Sequence, residues 1–173
     1  MKVWFSVLGL GFPGLTAGHL NIQDSALQPF LDAALAQSNS GFKSGIFAFY
    51  LTKEGNSEFH IGGTGDLSLF EKKGIEYHNL LEPVIPSYWM IGDGRIEADS
   101  QIITFGISTI IDSGTDMIVG PLNDVVKIYE KIPGSRRTET HGGADYTFPC
   151  DEQIPEITFS WGKGKKWTMD RER

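Results

Sequence analysis

The run Ile110-Ile111-Asp112-Ser113-Gly114-Thr115 sets one carboxylate at the end of an apolar stretch, followed by a hydroxyl, a glycine and a second hydroxyl. Glycine and small polar residues favour a tight turn. Such a turn can hold a carboxylate where burial and hydrogen bonds set its pKa. The chemistry served by this arrangement is attack of water on a peptide carbonyl, with two carboxylates sharing one proton so that one is base and the other acid. Each carboxylate then needs hydroxyl and backbone N–H donors to keep it coplanar with its partner, and Ser113 and Thr115 are of the required type. Taken alone, the tetrapeptide also suits a hydrogen-bonded turn with no catalytic duty. No other Asp-Thr-Gly or Asp-Ser-Gly occurs in the sequence.

The elements that must position this run read as mainly β. Short apolar stretches punctuated by Gly or Pro predict strands over 3–10, 45–51, 58–62, 88–91, 102–105, 107–111 and 156–161. Ile46 to Tyr50 is apolar on both parities, which predicts a strand covered on both faces. Two helices interrupt the strands. Leu27, Phe30, Leu31, Ala34 and Leu35 form one stripe on a helix over 25–37. Pro121 opens a second amphipathic helix, with Leu122, Val125, Val126 and Tyr129 facing the core. The segments 39–43 and 133–143, polar and containing Gly, read as loops.

Composition bounds the function classes. With 40% hydrophobic and 21% charged residues over 173 positions, the chain is of ordinary globular type. A net charge of −7 disfavours a nucleic-acid partner and suits a protein working in acid. Cys150 is the only cysteine and the four histidines are widely separated, so no metal site is expected. No run is long enough to span a bilayer, and no membrane partner is expected. Met1-Lys2 followed by Val3 to Leu15 has the charge and apolar run of a secretory signal, but Gly9, Gly11, Pro13 and Gly14 interrupt it.

In ordered blocks over nearly its whole length, the sequence resembles the pepsin-like aspartic protease family, especially its fungal members. Val7 to Pro13 resembles the family's apolar-apolar-Gly segment, and Phe47 to Leu51 with Glu58 to Gly63 resembles the strands joining its two lobes. Tyr88-Trp89, Ile110 to Pro121, and Tyr146 to Cys150 followed by Ile154 to Phe159 are similar to successive segments of its second lobe. The resemblance implies an incomplete pepsin-like acid protease fold with two short helices, residues 1–66 ending the first lobe and 67–173 forming most of the second. It implies Asp112 as the second-lobe catalytic aspartate and Thr115 as its hydroxyl donor. Ser113 would make an inter-lobe contact and Gly114 would present backbone to substrate. Val7 and Ile110 would line substrate pockets.

The resemblance further implies an endopeptidase acting on polypeptides in acid, without cofactor or metal, in an extracellular or vacuolar setting. Several family features have no counterpart in the sequence: the first catalytic aspartate, the flap tyrosine expected before Val7 and the supporting apolar-Gly segment expected after Trp167. Cys150 resembles a family cysteine whose disulfide partner lies further towards the C-terminus. Asp116 stands where the family has a small hydroxyl residue, and close to Asp112 it would raise that residue's pKa. Three readings remain open. The chain is an enzyme segment, inactive as a lone monomer and completed by missing-lobe segments; or a non-catalytic peptide- or inhibitor-binding homologue; or a single-aspartate protease completed by a second chain.

Overall fold

A computed structural model describes residues 8–12, 30–36, 45–53, 55–66, 75–81, 88–115 and 117–169. Val7, Asp116 and, of the signal-like run over 1–15, residues 1–7 and 13–15 lie outside them. The chain divides into two compact units, one within residues 1–77 and 82–88, the other formed by 78–81 and 89–173.

In the first unit, helix α1 (Phe30–Ala36) carries Asp32 in its first turn, where the carboxylate complements the N-terminal end of the helix dipole. Ala34 on this helix is buried. Strands β1 (Phe47–Tyr50) and β2 (Glu58–Ile61) form an antiparallel pair with Phe47 opposite Ile61 and Tyr50 opposite Glu58. The expected two-sided burial of Ile46 to Tyr50 is not found. Ile46 and Phe49 are exposed, because this sheet has only two strands among the described residues and Phe49 is covered instead by stacking on Phe59. Residues 8–10, expected to end a strand over 3–10, are not in one, and Gly9 is a residue type that weakens a strand interior.

The second unit is built on a four-stranded antiparallel sheet in the order β4-β3-β7-β8. Its strands are β3 (Met90–Ala98), β4 (Gln101–Ile110), β7 (Ile157–Trp161) and β8 (Trp167–Thr168). Asp99 and Ser100 both take positive φ in the two-residue β3–β4 turn, as a hairpin twist of this kind requires. Asp99 then exchanges bonds with Glu156, donating its N–H to the Glu156 carbonyl and accepting the Glu156 N–H on its side chain. The two runs expected at 102–105 and 107–111 are one strand. Gly106, at φ +69, is the extra residue between the Arg95–Phe105 and Gly94–Ile107 pairs, a bulge that only glycine enters without strain. The strand expected over 88–91 instead begins at Met90 and continues to Ala98, hidden in the sequence by Gly92, Asp93, Gly94 and Glu97.

The core of this unit is Ala98, Ile103 and Ile157, with Ile96, Phe159 and Ile128 packed against it. Ile128 comes from helix α2 (Leu122–Tyr129). Pro121 stands at the N-cap, and its carbonyl accepts from the N–H groups of Asp124 and Val125. Leu122, expected to face the core, is exposed; the helix instead leans on the sheet through Ile128. The segment expected as a loop over 133–143 contains strand β5 (Arg136–Thr140), paired with β6 (Gly143–Thr147) around His141-Gly142. Every residue of β5 is exposed, so it carries no alternation of apolar and polar residues from which a strand could be read. Tyr146 of β6 stacks on Tyr129 of α2 at 4.3 Å between ring centroids, fixing the hairpin to the helix.

Glu97 is the one buried acidic residue among those described, 2% exposed in the middle of the sheet. Lys166 Nζ lies 2.5 Å from its Oε2 and Arg95 Nη2 lies 2.7 Å from its Oε1. The Lys166 hydrogen bond, reinforced by the Arg95 and Lys166 charges and opposed by desolvation, holds the Glu97 carboxyl below its ordinary value. A depressed carboxyl pKa contributes stability above the unfolded-state value, and that contribution is lost as pH falls through the folded-state value. Urea denaturation should therefore show the wild-type chain losing stability on acidification through the carboxylate range. Glu97→Gln should flatten that acid limb while lowering stability near neutrality.

Candidate active site

The Asp112 loop begins where β4 ends. The Ile111 N–H donates to the Trp89 carbonyl at 2.9 Å, extending the attachment of β4 to β3 by one residue past the final ladder pair, Met90 with Ile110. Beyond that bond the chain turns, and the turn folds back on the aspartate. Gly114 N–H donates to Asp112 Oδ1 at 2.8 Å, and Thr115 Oγ1 donates to Oδ2 at 2.6 Å. Each carboxylate oxygen thus has a donor of its own, one from backbone and one from a hydroxyl. A Cβ on Gly114 would stand 3.2 Å from Asp112 Oδ1, so the bare glycine lets the backbone come this close.

Both donors favour the ionised form. The Thr115 hydroxyl first, then the Gly114 N–H, hold the Asp112 carboxyl below its ordinary value, with a small opposing effect of desolvation. Asp112 itself is exposed. An ionised, hydrogen-bonded carboxylate can accept a proton from water, and it is unsuited to donate one. Acid–base hydrolysis by this residue therefore needs a second group that carries the proton.

Of the residues singled out from sequence, the structure brings Asp112, Gly114 and Thr115 into direct contact, with Ser113 as the linking residue of the turn. Ile110 lies at the end of β4, half exposed and two positions before the aspartate. It belongs to an apolar rim, with Ile111, Met117, Ile118, Val119 and Leu122 all exposed along the chain that enters and leaves the loop. Val7 and Asp116 lie outside the described residues. Among the described residues no cluster of three His, Cys, Asp or Glu side chains is arranged to hold a metal. Cys150 is free and exposed.

Two contributors escaped the sequence reading. One is the Trp89 carbonyl, a backbone atom that no residue pattern can advertise. The other is Trp161, whose indole N–H donates to the Thr109 hydroxyl at 3.0 Å, three residues before Asp112. That contact depends on strand register, and a tryptophan closing a strand looks like core.

The profile described as "Eukaryotic aspartyl protease" matches residues 5–172. Among curated proteins, the chain is 35% identical over 124 residues to "Aspartic protease 1" of Toxoplasma gondii, covering 70% of this chain and 18% of that protein. It is 33% identical over 124 residues to "Aspartic protease" of Phaffia rhodozyma, covering 69% and 29%. With "Pepsin A-5" of Mus musculus it shares 30% over 169 residues, covering 92% and 38%. The chain spans well under half the length of these relatives. No solved structure matches it.

The Asp112 geometry yields a direct test. Thr115→Val removes the hydroxyl donor while keeping the shape, and should raise the Asp112 titration midpoint followed by carboxyl NMR. Thr115→Ser should keep it low. An unchanged midpoint in the valine variant would mean that the hydroxyl does not set the charge state.

Proposed function

Because the chain belongs to the eukaryotic aspartyl protease family, we propose that it serves an aspartic-type endopeptidase in which Asp112 is one of two catalytic carboxylates. The observation that carries this reading is the Asp-Ser-Gly-Thr turn with both Asp112 oxygens hydrogen-bonded, one to Gly114 N–H and one to the Thr115 hydroxyl. Asp112, ionised, would take a proton from water as that water bonds to the carbonyl carbon of a peptide. The second carboxylate, protonated, would donate to the carbonyl oxygen. Asp112 would then pass the proton it took from water to the amide nitrogen as the C–N bond breaks, and the second carboxylate would recover its proton from a hydroxyl of the tetrahedral intermediate as the new carboxyl group forms. None of these steps calls for a metal or an organic cofactor.

The two carboxylates must differ in protonation, so the activity belongs to acid pH, where one is neutral and the other charged. Depression of the Asp112 pKa supports its role as the charged member. The apolar rim of Ile110, Ile111, Met117 and Ile118 supports polypeptide substrates with apolar side chains near the scissile bond. Secretion or delivery to an acidic vacuole is part of the same proposal.

Since residues 1–173 contain a single Asp-Ser-Gly and no Asp-Thr-Gly, the purified chain should not digest a denatured protein in acid. The chain expressed with its in-frame genomic flanks should digest it, and Asp112→Asn should reduce that activity on the order of 10²- to 10⁴-fold. Cleavage by residues 1–173 alone, lost in Asp112→Asn, would instead indicate completion of the site by a second copy. Activity of the flanked chain that survives Asp112→Asn would overturn the assignment.

A further inference from the structure

The end of β4 that carries the Asp112 loop is weakly tied to its own sheet. Its pairs Met90–Ile110 and Ile91–Thr109 are cut off from the remaining ladder by register shifts on either side of Gly94. Among the described residues β4 is an edge strand, hydrogen-bonded in the sheet to β3 alone. Two ladder pairs and the Ile111 bond to Trp89 are little to hold a loop whose donors must meet a carboxylate within tenths of an ångström.

One contact crosses the sheet at this place. Trp161 lies on β7 and Thr109 on β4, with β3 between them, yet the Trp161 indole N–H reaches Thr109 Oγ1 at 3.0 Å in a partly buried setting. Gly94 of β3 makes the crossing feasible, since it stands opposite Trp161 on one side and Ile107 on the other. A Cβ at Gly94 would come within 2.8 Å of Ile107 Cγ1 and 2.9 Å of both the Ile107 carbonyl and Thr109 Oγ1. The Trp161 end is firm as well. Gly162 N–H donates to the Asp93 carbonyl at 3.0 Å, Gly164 N–H to the Trp161 carbonyl at 2.9 Å, and His78 lies edge-on to the indole at 6.1 Å.

We propose that Trp161 and Thr109 are positioning residues for Asp112, their hydrogen bond strapping the detached end of β4 across β3 so that the loop keeps both donors on the carboxylate. The strap rests on the reading of Asp112 as the reactive carboxylate. It acts through the Ile111 bond to Trp89: with Thr109 held, Ile111 stays in register, and Gly114 and Thr115 are delivered to the two oxygens.

The test uses the 173-residue chain, with the Asp112 carboxyl titrated by NMR and amide exchange read at Ile111 and Gly114. Trp161→Phe keeps an aromatic ring, though a smaller one, and removes the donor; Thr109→Val keeps the shape and removes the acceptor. Each should raise the Asp112 midpoint and speed Ile111 exchange by roughly fivefold, the worth of one neutral hydrogen bond. The double variant should do no more than either single one. Thr109→Ser, which retains the hydroxyl, should behave as wild type, and Ile157→Val, a packing change elsewhere in the sheet, should leave both readouts in place. The strap is refuted if Thr109→Val leaves both readouts unchanged, or if Ile157→Val moves them as much. Should Trp161→Phe fail to fold, Thr109→Val against Thr109→Ser decides alone. Neither readout requires peptide cleavage, so loss of the protease reading and loss of the strap would be seen separately.

Discussion

Everything at the candidate site depends on how β3 holds the last residues of β4. A hydrogen bond weakens steeply with misalignment, and the Asp112 carboxylate receives its two donors from residues two and three positions further along the chain. Their placement is inherited from Ile111, and that of Ile111 from the Trp89 carbonyl. The ladder that should guarantee this is interrupted by the bulge at Gly106 and the register shifts around Gly94. Bulges of this kind re-aim a strand end, and they also detach it from the regular part of the sheet. The Trp161 contact lies where that detachment occurs.

Among the described residues of the second unit, two carboxylates have a depressed pKa, and the contrast between them separates structure from chemistry. Glu97 is buried and paired with two cations, Lys166 and Arg95; the Lys166 hydrogen bond, with both charges, outweighs its desolvation. Such a group ties β3 to the segment preceding β8 and is shut away from solvent. Asp112 is exposed and stabilised by neutral donors, a hydroxyl and an N–H. Among the described residues it has no ion pair, and it remains open to water. That difference supports the proposal that Asp112, and not Glu97, is the reactive group.

A lone hydrated carboxylate is nevertheless a poor hydrolytic catalyst, because the proton it removes must be matched by one delivered to the carbonyl. The apolar residues around the loop bear on the same point. Met117, Ile118 and Val119 are exposed beside a charged group, and catalytic carboxylates work best where water is limited. Family membership rests on sequence similarity across residues 5–172, and the loop geometry accords with it.

The sequence by itself determined the mainly β class, the second helix after Pro121 and the Asp-Ser-Gly-Thr turn, because each is encoded locally: by apolar runs, by proline at a helix start, and by hydroxyls and glycine at fixed offsets from one aspartate. It also determined that one such turn, and no more, is present. Only the tertiary structure decided the rest. The fully exposed β5 became a strand because β6 pairs with it, and the two runs flanking Gly106 became one strand because β3 spans the bulge. The Trp89 carbonyl and the Trp161 to Thr109 bond reached the site through cross-strand register. Register is a relation between segments dozens of residues apart, and in a sheet it follows from pairing and burial together, so no local pattern around Asp112 could have shown what holds it.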